Sequence, residues 1–297
     1  MEKVQYNRVL FIINPKSGSR QEKRLTDFIA AQAKRSKFSF KIYAMSGDDE
    51  VNNKQEIAHY NPEVIAAAGG DGTVNFMASL LQNANIPLLI IPFGSANGMA
   101  KELGIGSDIQ FAISLLEKGV VKPIDLLTIN GKICIHLADV GLNARIVKRF
   151  EADQNRGIRT YAKHLLAEMF LLKVYTFHIQ CDGQNFKRKA VSLTFANASK
   201  YGTGAVINPE GLIDDGHFEL VVIKPFPQIK LLSIAWKMFN NKLHTSDYVE
   251  IIKCTKAKIV SRRKTTLQID GEVIGKVKQI SIDILPRSLM VLVPEKV

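Results

Sequence analysis

The sequence predicts two unlike halves: an α/β half built on a parallel sheet, then an all-β half built as an antiparallel sandwich. Three observations predict it. Strand and helix patterns alternate through the first 125 residues, glycine-bearing loops close three of those strands, and short β-patterned runs take over after Lys122-Pro123. Repeated β-α units imply parallel strands covered on both faces.

Arg8–Ile13 reads as a buried strand, followed by the loop Asn14-Pro15-Lys16-Ser17-Gly18-Ser19 and a helical pattern over Gln21–Ala33. Phe38–Ala44 alternates as a strand, and Glu50–His59 reads as a helix. Val64–Ala68 is a short apolar run that breaks on Gly69-Gly70-Asp71-Gly72-Thr73, and a helix follows with Val74, Met77, Leu80 and Leu81 on one face. Leu88–Ile91 is the next buried strand, closed by Pro92-Phe93-Gly94-Ser95-Ala96-Asn97-Gly98 before the helix Met99–Leu103. In the second half, β-patterned runs fall at Ile124–Ile129, Lys132–Leu137, Thr176–Cys181, Lys189–Ala196, Phe218–Ile223, Tyr248–Ile252, Ala257–Val260, Thr266–Ile269, Gln279–Leu285 and Met290–Val293. Asn130-Gly131 and Asp182-Gly183 are hairpin signals, and helices near Arg159–Lys173 and Ile229–Lys242 interrupt the strands. The domains expected are 1–125, Rossmann-like, and 126–285, a β-sandwich, with about 286–297 returning to the first.

Loops at the carboxyl ends of parallel strands form the ligand crevice of such sheets. Glycines bring backbone close to a ligand, and a helix N-terminus offers amides to anions. The three loops at 14–18, 69–73 and 94–98 are therefore expected to converge on a phosphate-bearing nucleotide. Asp71 within such a turn suggests a metal-bridged one, although Gly-Gly-Asp-Gly alone is also an ordinary tight turn. No GxxxxGK[ST] occurs, and Asn75 occupies the last glycine position of a GxGxxG read from Gly70.

At 297 residues, 46% hydrophobic and 23% charged, the chain fits a two-domain globular protein, with neither a membrane-length apolar run nor a signal peptide. Cys134, Cys181 and Cys254 are odd in number and far apart, so neither a disulfide framework nor a zinc site is expected, and the cytoplasm is the natural setting. The net charge of +12 gathers at Lys34-Arg35-Lys37, Arg145/Lys148/Arg149, Arg156/Arg159/Lys163, Lys187-Arg188-Lys189 and Arg262-Arg263-Lys264. A basic surface attracts nucleic acid, anionic membrane or phosphorylated ligands. Nucleic acid is not expected, because zinc-finger spacing and RNP-like aromatics are both missing. Arg145, Lys148, Arg149, Arg156 and Arg159 are the candidates for peripheral attachment to an anionic membrane. Core packing is the first role for Ile229–Phe239, with shallow insertion through Trp236 as the alternative. A homodimer is compatible with the sequence.

NPKSG at 14–18, GGDGTVN at 69–75, PFGSANGMAKELGI at 92–105, ID at 124–125, ADVGLNA at 138–144, NPEGLIDDGHFELVVI at 208–223 and DGE at 270–272 occur in that order. Together they resemble the diacylglycerol kinase catalytic-domain family, soluble bacterial lipid kinases related to sphingosine kinases. The resemblance covers nearly the whole chain. It implies a nucleotide domain and a β-sandwich with the active site between them, ATP and Mg²⁺ as cofactors, and a lipid alcohol such as diacylglycerol or a sphingoid base as acceptor. Asn14, Pro15, Lys16, Ser17, Gly18 and Arg20, then Gly70, Asp71, Gly72, Thr73 and Asn75, then Gly94, Ser95 and Asn97 would hold ATP. Glu272 would be the base on the lipid hydroxyl, Asp71 would orient Mg²⁺–ATP, and Asp125 would lie near that network. Asp215, with the carbonyls of Leu212 and His217, would bind a structural Mg²⁺, an oxygen set that suits a hard cation. His59, His136, His164, His178 and His244 show no ligand spacing.

The chain departs from the family pattern at Phe76, usually Glu, at Ser95, usually Thr, at Gly98, usually Asp, and at Lys101, often Arg. The loop at 94–100 looks closer to the sphingosine-kinase branch. Two other readings stay open: an NAD kinase, which shares GGDGT, and a family member that binds lipid or nucleotide without turnover.

Overall fold

A computed structural model describes residues 6–15, 22–45, 50–145 and 173–295. The chain divides into two compact units, Met1–Ile124 with Arg287–Val297, and Asp125–Pro286. It passes from one to the other inside two strands, β5 (Val120–Ile129) and β14 (Glu272–Val293).

In the first unit β1 (Arg8–Ile13), β2 (Ser39–Ala44), β3 (Val64–Gly69) and β4 (Leu88–Pro92) lie parallel in the order 2-1-3-4. The end of β14 adds beside β4, with Val291 opposite Leu88. Past Arg8, every residue of β1, β3 and β4 is buried, as strands covered on both faces must be. Helices α1 (Glu22–Ser36), α2 (Glu50–Tyr60), α3 (Asp71–Leu81), α4 (Gly98–Glu102) and α5 (Ile109–Lys118) complete the unit. The sequence reading omits α5, although Asp108 caps it by accepting the Gln110 amide at 2.9 Å, and Ala112, Ile113, Leu115 and Leu116 form its buried stripe. Strand order reverses between β1 and β3, and the crevice outside that reversal is the ligand position of open α/β sheets.

In the second unit β12 (Val249–Cys254), β11 (Phe218–Ile223), β10 (Ser192–Ala196), β7 (Leu137–Gly141), β13 (Lys256–Ile269) and β14 run antiparallel, each to the next. The pair β8 (Tyr175–Cys181) and β9 (Gln184–Ala190) joins through β13, and β6 (Lys132–Cys134) pairs with β5. Phe177, Phe195 and Phe218 centre the main core of this sandwich. A second apolar cluster packs Leu231 and Ile234 of α6 (Leu231–Phe239) against Leu137, Val221 and Val249. Three hairpins close on two residues with φ near +50° and +80–90°, at Asn130-Gly131, Asp182-Gly183 and Asp270-Gly271. Both residues of such tight turns need positive φ, which is why Asn or Asp precedes Gly.

Several expectations change. Lys189–Ala196 is not one strand: β9 ends at Ala190, and β10 begins at Ser192 to pair with β7 and β11. The runs at 257–260 and 266–269 are one strand, because the exposed Arg262-Arg263-Lys264 step only shifts the register, and 279–285 and 290–293 likewise belong to β14. The helix expected near Arg159–Lys173 falls on residues 159–172, outside the described ones. Cys181 and Cys254 are joined by a disulfide, against the expectation of unpaired cysteines. Sequence distance misleads here. The Asp182 carboxylate accepts from the amides of Thr255 and Lys256 and from the Thr255 hydroxyl, which draws the two strand ends together. The cysteine count thus gives no support to a reducing compartment. No described helix is long and apolar enough to cross a membrane.

Candidate functional site

The first unit brings Asn14, the start of the first predicted loop, together with the loops at 69–73 and 94–98 at the β1/β3 reversal. Ile13, Ala68 and Ile91 stand in register at the strand ends. Asn14 donates its backbone N–H to Ala68 at 3.0 Å and its side-chain amide to the Thr73 hydroxyl at 2.9 Å, spanning the crevice. Phe93 donates to the Gly69 carbonyl at 3.0 Å, and the Met99 amide donates to Asp71 Oδ1 at 3.2 Å. Asn97, held at φ +50°, accepts from the Gly94 amide and donates back to its carbonyl, both at 2.8 Å. A Cβ on Gly94 would stand 2.5 Å from the Gly70 Cα, so the two turns touch backbone to backbone and only glycine fits. The first helical bond of α3 runs from the Val74 amide to the Gly70 carbonyl at 3.1 Å, so the amides of Asp71, Gly72 and Thr73 have no acceptor within the helix. Asn75 Oδ1 is buried with no hydrogen-bond partner among the described residues. An open cleft of about 350 Å³ lies along Pro92–Asn97, Lys101 and Ser107. Amides, a vacant acceptor and a cleft fit a phosphate-bearing ligand with its own donors. Pro15 is exposed beside Asn14, whereas Lys16, Ser17, Gly18 and Arg20 lie outside the described residues.

The second unit builds a buried polar chain behind Glu272. Asp270 Oδ1 accepts from the amides of His136 and Leu137 at 2.9 and 3.0 Å, and Oδ2 from Ile135 at 2.9 Å. Gln268 accepts the Gly271 amide at 2.7 Å. The turn is thereby clamped on both sides, and Glu272 follows it, exposed, at the start of β14. Burial pushes the Asp270 carboxyl up, against His136 and the amides. Gln268 also donates to Asp139 Oδ2 at 2.7 Å, as does Asn143. Burial pushes fully buried Asp139 up to about 7, while Asn143 and Gln268 pull the other way. Asp125 is fully buried. Its carboxylate accepts the Gly216 amide at 2.7 Å, its amide donates to Ile213 at 2.8 Å, and its carbonyl accepts from Asn197 at 2.9 Å. Asp125 thus positions the Asp-Gly loop.

The Asp-Gly loop, which the resemblance implies binds a structural Mg²⁺, holds its carboxylate in an ion pair. Asp215 Oδ1 accepts the His217 amide at 3.0 Å, and Oδ2 pairs with the Lys253 ammonium at 2.7 Å. A cation at Asp215 would have to share that carboxylate with Lys253 or displace it. The pairing raises the Lys253 pKa, and burial, then neighbouring Asp215, raises that of Glu219. The His217 ring packs Nδ1 against the Asp215 carbonyl at 2.8 Å.

Residues 8–129 match the family model described as diacylglycerol kinase catalytic domain, and residues 137–293 match the YegS C-terminal NAD kinase beta sandwich-like domain. The chain belongs to the diacylglycerol kinase catalytic-domain family. Among similar members, the Klebsiella pneumoniae protein named "Probable lipid kinase YegS-like" is 28% identical over 83% of this chain and 83% of its own. The diacylglycerol kinase of Bacillus subtilis is 25% identical over 89% of each. The crystal structure of a diacylglycerol kinase from Bacillus anthracis superposes with a TM-score of 0.75 over 99% of both chains at 21% identity, which shows a shared fold.

The glycine loops and Glu272 are candidates from the sequence, but the side chains that the structure packs behind them are not. Gln268, Asn197 and Lys253 carry no motif. Asp139 and Asp270 sat inside quoted motifs, ADVGLNA and DGE, without a role. Phe76 is half-buried on α3, and Gly98 opens α4 directly after Asn97.

Proposed function

We propose that this chain is an ATP-dependent lipid kinase, transferring the γ-phosphoryl group of Mg²⁺–ATP to a hydroxyl of a membrane lipid such as diacylglycerol or a sphingoid base. The observation that carries the reading is the hydrogen-bonded meeting of Asn14 with the glycine loops at 69–73 and 94–98 at the β1/β3 reversal, in a member of a lipid kinase family. Phosphoryl transfer asks little covalent chemistry of a protein, so positioning and charge neutralisation dominate. Asn14, Gly70–Asn75 and Gly94-Ser95 would hold the phosphates through backbone amides and hydroxyls. Asp71 braces α4 by accepting the Met99 amide, and its carboxylate would help hold the magnesium of the nucleotide substrate. Lys16, Ser17, Gly18 and Arg20 would add charge and donors from the first loop.

Glu272 would accept the proton of the lipid hydroxyl as its oxygen attacks the γ-phosphorus and ADP leaves. A positioned base is worth roughly 10²–10⁴-fold. Asp270, Gln268 and Asp139 would hold that base by fixing its turn. The deciding assay presents radiolabelled ATP with diacylglycerol, sphingosine and NAD in parallel, the lipids in detergent micelles. Label on a lipid supports the reading. Label on NAD replaces it with an NAD kinase, and ATP binding without transfer to any acceptor leaves a non-catalytic binding protein.

A further inference from the structure

The segment around α6 divides its apolar residues between two faces. Leu231 and Ile234 are buried against the sandwich. On the opposite stripe, at spacings of seven and three, Ile229, Trp236 and Phe239 are 85%, 55% and 60% exposed. Three large apolar side chains on one short stretch form a contiguous patch, the kind of surface that marks a partner. The charge along the segment itself has one sign. From Gln228 to Ser246 the chain carries Lys230, Lys237 and Lys242 and no Asp or Glu, while Lys224, just before it, pairs with Glu250 at 3.7 Å. The Lys242 ammonium lies 5.8 Å from the Trp236 ring centroid, an aromatic-cation pair that suits the boundary between apolar and charged surroundings.

We infer that the Ile229–Lys242 segment is a membrane-docking surface that inserts Ile229, Trp236 and Phe239 shallowly into an anionic lipid bilayer while its lysines meet the headgroups. An apolar stripe flanked by lysines is complementary to an anionic interface in both chemistries at once. A neutral protein partner would leave the uniform positive charge unexplained, and a second copy would oppose lysine to lysine. The inference rests on the lipid kinase reading for its purpose, since such an enzyme must visit a bilayer, but not for its geometry. It replaces core packing as the role of the outward stripe, and it places attachment on residues other than the cationic cluster at 145–159.

Trp236 is the single tryptophan of the chain, so tryptophan emission, excited selectively over tyrosine, reports on this patch. The full chain is titrated with vesicles of phosphatidylcholine, and of phosphatidylcholine mixed with phosphatidylglycerol. Anionic vesicles should shift the emission to the blue and allow quenching by lipids brominated on the acyl chains. Neutral vesicles should do neither at matched concentrations. An Ile229→Ser/Phe239→Ser variant should partition at least about 10-fold less, as losing buried apolar area predicts, and Lys230→Glu/Lys242→Glu should behave likewise. Both pairs are exposed, and unchanged melting temperatures confirm folding. The serine variant should keep its rate on lipid in detergent micelles and lose rate on lipid in vesicles.

Emission that ignores anionic vesicles overturns the inference, as does an equal response to neutral ones. A blue shift that appears with protein concentration alone assigns the patch to self-association and overturns it too. If no lipid alcohol is phosphorylated in micelles, the kinase reading fails while the fluorescence still judges the docking surface.

Discussion

Glu272 opens β14 immediately after a turn whose Asp270 is held by three consecutive amides, which fix the backbone that carries it. As the proposed base, it is tested by Glu272→Gln, which keeps size and loses proton affinity. Turnover should fall at least ~10²-fold while binding of an ATP analogue is retained. A variant with near-parental turnover would remove Glu272 from the mechanism. Asp139 offers a second test, in pH. An aspartate ordinarily titrates near 3.8, and burial holds this one at about 7. The folded chain therefore keeps a proton that the unfolded chain releases between those values. The stability tied to this group is full below about pH 4, drains as pH rises towards 7, and is level above. Asp139→Asn keeps an acceptor for Gln268 and Asn143 and removes the titration. The variant should gain on the parent between pH 4 and pH 7 by at most about 4 kcal/mol, each tenfold of proton affinity being about 1.4. Urea unfolding across that range measures it, and parallel profiles would refute the assignment.

The Asp-Gly loop at 213–217 is readable in sequence as an oxygen-rich turn, and Gly216 at φ +74° is the residue such a turn requires. What fills it is not readable, because Lys253 comes from β12, 38 residues further on. With an ammonium on Asp215, the parent's melting temperature should not respond to Mg²⁺. Lys253→Met should lower stability and create a response, since a cation that binds only the folded chain stabilises it. A Mg²⁺-dependent rise in the parent would show the ion displacing Lys253. The same division appears in the helices. Of the Val74/Met77/Leu80/Leu81 stripe visible as periodicity on α3, Val74, Met77 and Leu81 are buried and Leu80 is half-buried. The apolar residues of α6 have no such resolution in one dimension. Leu231, Ile234, Trp236 and Phe239 look alike until the sheet covers one side and leaves the other exposed.

Across the whole molecule, the disulfide is the feature that strand pairing created. It links residues 73 apart in sequence, Cα atoms 6.0 Å apart, within the second unit. Closing a loop of that length restricts the unfolded chain by about 4 kcal/mol in the chain-entropy account. A reductant should therefore lower the melting temperature of the parent and leave Cys181→Ser/Cys254→Ser unaffected. Equal melting with and without reductant would show that the bond contributes nothing. The family, the parallel-then-antiparallel architecture, the three glycine loops and the hairpin turns were legible in sequence. Each is written in local spacing: apolar runs, glycine at positive φ, and motifs in order. Four features were decided by tertiary structure. These are the Lys253 ammonium on Asp215, the Asp270–Gln268–Asp139 support of Glu272, the Cys181–Cys254 bond and the outward stripe of α6. All four depend on strands distant in sequence meeting side by side, and no local pattern encodes which long-range neighbour a side chain will find.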